Sequence, residues 1–148
     1  MKPWIWLRTL AVLLGLFAIG HTLGTAAPKV TYGPQEAAVF AAMQGFRFRI
    51  MGFDRTYWEF FRGFALIITV LLLVMMAIAW QLGTISKQSR RLALPMAITL
   101  QLGCVGLLIL SWLFFFGAPI VVSAMAVVCS TGAVISLSRS TEAKSRAE

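Results

Sequence analysis

Charged residues are scarce in this chain of 148 residues, where they make up 12% of the sequence and only five of them are acidic. In an average soluble domain about a quarter of the residues are charged. A surface that faces water on all sides cannot be built from so few charges. The composition therefore excludes an ordinary soluble domain.

Groups that carry chemistry are equally few. The single histidine, His21, excludes a multi-histidine metal site within one chain. The two cysteines, Cys104 and Cys129, lie inside apolar runs without the spacing of a zinc site or a redox pair, so we expect buried free thiols. Because no catalytic, metal or cofactor motif is present, we expect no resident cofactor and a non-enzymatic protein.

Apolar residues, in contrast, account for 59% of the chain. They form four runs, each near the length of about 20 residues that a helix needs to cross a membrane. We therefore predict an all-α integral membrane four-helix bundle, a single transmembrane domain over residues 1–148. The predicted spans cover about residues 4–27, 57–83, 92–116 and 119–138, with an outer loop at 28–56 and a tail at 139–148.

The first apolar run also fits a cleaved signal peptide. Lys2 supplies the positive start and Gly24-Thr25-Ala26 a small-residue cleavage site. We favour retention, because the run is long enough to span and its removal would leave an odd number of spans.

The net charge of +8 comes from short basic clusters between the apolar runs. This placement indicates that the basic residues set the orientation of the chain in the membrane and do not form a nucleic-acid-binding face. One side of the predicted membrane holds Lys2, Arg8, Lys87, Arg90, Arg91, Arg139, Lys144 and Arg146. The other side holds Lys29, Arg47, Arg49, Arg55 and Arg62, spread over a longer loop. The positive-inside rule then predicts that both termini of this expected inner-membrane protein lie in the cytoplasm.

The outer loop supports two interpretations. Pro34 begins a helix signal, and Val39, Met43, Phe46 and Ile50 follow at helical spacing, which predicts an interfacial amphipathic helix. The alternation of aromatic and basic residues over 46–50 predicts a short strand instead. Both alternatives stay open at this stage.

Ionisable residues at the start of the second span form the candidate binding site. Arg55, Glu59 and Arg62 are spaced four and three apart, so they share one helical face and can form ion pairs. With the predicted topology, His21 at the end of the first span lies in the same leaflet. Intramembrane ionisable residues are costly and often functional, which makes these four residues the candidate site.

A purely structural interpretation competes with it. Thr56 and Glu59 have the spacing of a capping box, and Arg62 is long enough to extend back to the interface. In that case the cluster stabilises a helix end and binds nothing.

Three sequence blocks, Gly20–Gly24, Met51–Phe64 and Ser111-Trp112, resemble an uncharacterised family of small four-helix bacterial integral membrane proteins. The resemblance covers most of residues 10–135 and implies the topology, without an activity. A looser likeness, at the level of the fold, relates the chain to DoxX-type four-helix membrane proteins, which are linked to redox partners.

These observations lead to two hypotheses on function. In the first, the protein is non-enzymatic and its outer-leaflet cluster binds a lipid headgroup, a small anion or the helix of another membrane protein. In the second, it is a membrane-embedded redox or transfer enzyme that uses a lipid-soluble cofactor such as a quinone, with His21 and Glu59 handling protons.

Overall fold

A computed structural model describes residues 1–26 and 32–145, with side chains up to residue 139. Pro28 and Lys29 of the predicted outer loop and Arg146 of the tail lie outside the described residues. The elements in chain order are α1 Pro3–Thr25, α2 Pro34–Gly45, β1 Arg47–Ile50, β2 Phe53–Thr56, α3 Tyr57–Gln88, α4 Arg90–Phe114 and α5 Gly117–Ser145.

The predicted all-α membrane fold is confirmed. Four helices are long and apolar enough to cross a membrane, namely α1, α3, α4 and the segment Gly117–Arg139 of α5. Most large apolar side chains of α3 are exposed, as expected of side chains that face lipid. The helix continues to Gln88, beyond the predicted end of the second span, and stops before Ser89.

The chain divides into two compact units. Unit 1 comprises residues 1–17 and 72–148, and unit 2 comprises residues 18–71, so α1 and α3 each contribute to both. In unit 1, segments of all four long helices pack together. Trp6 of α1 lies against Gly132 of α5, and Met75 of α3 lies against Gly103 of α4.

Small residues form a buried row on α5. Four of them recur on α5 at spacings of three and four and are all buried: Ser123, Ala126, Ser130 and Ala133. Their short side chains let neighbouring helices approach closely, which is how membrane helices gain packing energy. As expected from the sequence, Cys104 and Cys129 are buried free thiols.

Two cations, one on α1 and one on α3, join these helices in unit 1. The Arg8 guanidinium lies 3.5 Å from the centroid of the Trp80 ring, and its Nη2 donates a hydrogen bond of 2.9 Å to Thr84 Oγ1. The Lys87 ammonium lies 4.5 Å from the ring centroid of Trp4. Each helix thus supplies one cation and one aromatic ring to the other.

Unit 2 contains the end of α1, then α2, the two strands and the start of α3. Pro34 occupies the first turn of α2, where the missing N–H of proline is no loss because first-turn donors have no partner within the helix. The predicted helix start at Pro34 is thus confirmed. Gly33 precedes it with φ of 90°, a conformation that glycine adopts without steric cost.

The prediction of one helix through Ile50 is wrong. α2 ends at Gly45, and Arg47–Ile50 pairs antiparallel with Phe53–Thr56 as a β-hairpin. Phe46 and Ile50 therefore do not continue the helical stripe of Val39 and Met43. The competing alternation of residues 46–50 describes this segment correctly.

The hairpin has a physical cause in its turn. Its two-residue loop, Met51-Gly52, has φ of 51° and 87°, and positive φ at both central residues is the backbone of a type I′ turn. Such a turn matches the twist of paired strands. Gly45 weakens the preceding helix, and the aromatic and β-branched residues that follow it favour strands.

Candidate functional site

The four candidate residues all belong to unit 2. His21 lies in the last turns of α1, Arg55 lies in β2, and Glu59 and Arg62 lie in the first two turns of α3. The structure places each of them in a different local environment, which decides what each can do.

Glu59 takes part in capping the N-terminus of α3. Its Oε2 accepts a hydrogen bond of 2.7 Å from the backbone N–H of Thr56, and its own backbone N–H donates to Thr56 Oγ1 at 3.1 Å. This reciprocal pair is a capping box, which provides partners for two backbone donors at the helix N-terminus. The capping interpretation of Glu59 is therefore correct.

Arg55 is directed along the hairpin. Its Nη1 donates a hydrogen bond of 2.8 Å to the carbonyl oxygen of Asp54, and its guanidinium lies 5.5 Å from the ring centroid of Phe53. In the strand register Arg55 pairs with Phe48, and Arg49 lies opposite Asp54. No ion pair joins Arg55 to Glu59 among the described side chains.

Arg62 is exposed, and within residues 1–26 and 32–139 its guanidinium has no hydrogen-bond or ion-pair partner. It lies five residues after Tyr57, about 7 Å farther along the helix axis. The expected pairing with Glu59 is not formed, because Glu59 caps the helix. His21, the other candidate residue expected in the same leaflet, binds a backbone carbonyl. An uncompensated positive charge remains on the first turns of an apolar helix.

His21 belongs to a hydrogen-bonded contact between α1 and α3. Its Nε2 lies 3.0 Å from the carbonyl oxygen of Ala65 and must donate, because a carbonyl only accepts. One turn farther along α3, Thr69 Oγ1 lies 2.9 Å from Thr22 Oγ1, and Thr22 donates to the carbonyl of Ala18 at 2.7 Å. In neutral His21 the proton on Nε2 leaves Nδ1 as an acceptor.

Aromatic rings hold the start of α3 against the hairpin. Tyr57 stacks on Phe46 at a centroid distance of 5.8 Å and contacts Phe48 at 4.9 Å. On another side of the helix, Trp58 meets Phe40 of α2 edge-on at 5.8 Å. Such pairs contribute about 0.5–1.5 kcal/mol each beyond burial, so the backbone that carries Arg62 is held in place.

This aromatic cluster is the part of the site that the sequence interpretation missed. Neither Tyr57 nor Trp58 is among the candidate site residues predicted from the sequence. The signal that could have revealed the cluster is the two-residue turn at Met51-Gly52, because a hairpin there returns Phe46 and Phe48 to the start of α3.

No protein-family model, curated protein or solved structure matches the chain. The resemblance of the three sequence blocks to a bacterial family therefore stays a prediction. What the site can do follows from its own chemistry. In the part of the chain that the structure describes, no three histidine, cysteine or acidic side chains lie together as a metal site requires. The available functional groups are the exposed cation of Arg62 and the imidazole of His21.

Proposed function

We propose that this chain is a multi-pass protein of the bacterial inner membrane, with both termini in the cytoplasm, that binds an anionic lipid headgroup at the start of α3. The basic residues support this orientation, since eight lie on the side of the termini and five on the side of the loop. The resemblance to the small four-helix bacterial family is part of the proposal and implies the same topology.

The uncompensated charge of Arg62 carries the proposal. A cation near the apolar region costs free energy unless an anion or water reaches it, and Glu59 is engaged in the cap. A phosphate accepts two parallel hydrogen bonds from a guanidinium, which makes it a well-matched partner. Because the aromatic cluster holds the start of α3, little order is lost when the headgroup binds.

A quinone-linked activity is the second candidate, and one observation favours it. The Nδ1 acceptor of His21 has no partner among the described residues, so it is available to a ligand that carries a hydroxyl group or to a proton. Glu59 is unsuited to the matching role because its carboxylate caps α3. The first function therefore has the better geometric support.

Bound-lipid analysis tests the proposal. The protein and its Arg62→Gln variant are purified in mild detergent, and co-purified lipids are quantified by mass spectrometry together with an absorption spectrum of the extract. We expect an anionic lipid in stoichiometric amount, reduced severalfold by Arg62→Gln. Arg55→Gln serves as the matched control, because Arg55 already donates to the Asp54 carbonyl and should matter less.

Two results would contradict the proposal. If Arg62→Gln is as stable as the parent protein and carries the same lipid, Arg62 is an interface anchor and binds nothing specific. If the extract contains a stoichiometric quinone that a His21→Ala variant loses, the second candidate replaces the first.

A further inference from the structure

The β-hairpin that precedes α3 has two chemically different faces. Side chains alternate between the faces along each strand, and residues directly opposite each other share a face. In the observed register the polar face carries Arg47, Arg49, Asp54 and Thr56. The apolar face carries Phe48, Ile50, Phe53 and Arg55. The hairpin is therefore amphipathic.

The apolar face is exposed at the end next to the turn. Ile50 and Phe53, which pair with each other, are 48% and 61% exposed, and Met51 in the turn is 94% exposed. The cation on this face, Arg55, has its guanidinium 5.5 Å from the Phe53 ring centroid and donates to the Asp54 carbonyl. Three large apolar side chains are thus left open at the end of the hairpin.

At its other end the apolar face joins the outer surface of α3. The ring of Phe48 contacts those of Tyr57 and Phe60, at centroid distances of 4.9 and 5.4 Å. At about 100° per residue, both rings belong to a stripe of exposed hydrophobic residues that spans about 80° of the helix surface. The stripe consists of Tyr57, Phe60, Phe64, Ile67 and Leu71. Because α3 is long and apolar enough to cross a membrane, such a stripe faces lipid.

The neighbouring helices approach α3 from another side. α1 contacts it at Ala65, whose carbonyl binds His21, and at Thr69. α2 contacts it at Trp58. These three positions of α3 lie about 80 to 120° around the helix axis from Tyr57, in the direction away from the stripe. The stripe is therefore left to the hairpin and the bilayer.

The exposed end of the hairpin lies close to this stripe. Ile50 follows Phe48 by two residues, so their Cα atoms are within about 7 Å of each other. The polar layer on each side of the hydrocarbon core of a bilayer is about 5 to 7 Å thick. Ile50 is thus within about one headgroup layer of the ring that contacts the lipid-facing stripe.

We propose that the hairpin lies in the interfacial layer of the leaflet in which α3 begins, with its apolar face against acyl chains and its polar face toward the headgroups. Ile50 and Phe53 then contact hydrocarbon, and Arg47 and Arg49 donate to phosphate oxygens. A soluble partner protein is a poorer occupant, because the apolar face continues into a stripe that the bilayer covers.

This surface is separate from the proposed headgroup site at Arg62. Arg62 lies about 160° around the axis of α3 from Phe64, on the opposite side of the helix from the stripe. The hairpin inference therefore goes beyond the proposed function and does not rest on it.

Accessibility of a nitroxide label in lipid nanodiscs tests the orientation. Ile50→Cys and Phe53→Cys place the label on the apolar face. Arg49→Cys and Asp54→Cys place the same label on the polar face, one residue away in each case, and are the matched controls. Electron paramagnetic resonance compares collisions with oxygen, which concentrates in lipid, and with a water-soluble nickel complex. We expect an oxygen-to-nickel ratio severalfold higher at positions 50 and 53 than at 49 and 54.

Three further samples complete the experiment. Leu71→Cys lies on the stripe of α3 and gives the ratio expected for lipid contact. The parent chain, whose Cys104 and Cys129 are buried, gives the labelling background. Arg62→Gln, combined with each labelled variant, should leave the pattern unchanged. Every labelled position is exposed, so the substitutions should not disturb folding, which circular dichroism checks.

Three outcomes would overturn the inference. A low ratio at all four hairpin positions would show that the hairpin stands in water. An equally high ratio at all four would show that its two faces are not oriented by the membrane. Low collision rates with both reagents at positions 50 and 53 would show that protein covers the apolar face. A failure of the proposal at Arg62 is recognised separately, because it changes the bound lipid and not this pattern.

Discussion

Replacing Gly132 with alanine should destabilise the protein, although alanine is the better helix former. A Cβ at this position would lie 2.7 Å from Cδ2 and Cε2 of Trp6. Real Cβ atoms do not approach carbon so closely, so the Trp6 ring or the backbone of α5 must shift. The indole ring is rigid and cannot bend away as a methionine would.

The magnitude follows from a matched comparison with Gly106 of α4, where an added Cβ meets no atom within 4 Å. Both substitutions gain about 0.5–1 kcal/mol of helix propensity. Only Gly132→Ala also overpacks a helix contact, at a cost of about 1–3 kcal/mol. The difference between the two variants isolates that cost, so Gly132→Ala should be less stable than Gly106→Ala by about 1–3 kcal/mol.

The measurement is the free energy of unfolding in detergent micelles, from a denaturant titration followed by circular dichroism. A Trp6→Leu background should reduce the penalty of Gly132→Ala, because the ring that causes the clash is gone. If Gly132→Ala is as stable as Gly106→Ala, or if Trp6→Leu leaves the penalty unchanged, the contact between α1 and α5 does not have the geometry described here.

Three further predictions concern the other contacts. Arg8→Lys should lower the free energy of unfolding by about 1 kcal/mol in the same titration, because lysine cannot stack its charge on the Trp80 ring while donating to Thr84. An unchanged free energy of unfolding would show that the stacking contributes nothing. Thr56→Ala should lower the free energy of unfolding by about 1 kcal/mol, whereas Glu59→Gln should leave it nearly unchanged because glutamine also completes a capping box. A large loss of stability in Glu59→Gln would indicate that the charge of Glu59 is needed. Reporter fusions after residues 40, 88 and 145 should report outside, inside and inside, and an outside signal at 88 would refute the proposed orientation.

The four long helices were predictable because one physical requirement defines them. A membrane-spanning segment must be apolar across the hydrocarbon region, and its backbone N–H and C=O groups must hydrogen-bond to each other. The spans of α3 and α4 are therefore recognisable in the sequence as long apolar runs. The segment before α3 obeys no such requirement. There, helical spacing and strand alternation overlap on Phe46 and Ile50, and the turn at Met51-Gly52 decides between them.

The candidate site was predictable only in part. The sequence spacing of three residues correctly predicts that Glu59 and Arg62 lie on the same helix, and the spacing of Thr56 and Glu59 predicts the capping box. Spacing alone could not determine whether Glu59 would pair with Arg62 or with the backbone. That outcome depends on the local geometry of Thr56, whose N–H has no other partner at the helix start.

The use made of the acidic residues bears on the proposed site at Arg62. In unit 2, Glu36 accepts a hydrogen bond from the backbone N–H of Tyr32 at 2.7 Å, and Glu59 accepts one from Thr56 at the same distance. These two carboxylates thus stabilise backbone donors near helix starts. Unit 1 has no acidic residue among its described side chains. Among the described side chains, no carboxylate is paired with Arg62, Arg90 or Arg91. Anions from the membrane are the most abundant remaining source of negative charge at the ends of these helices.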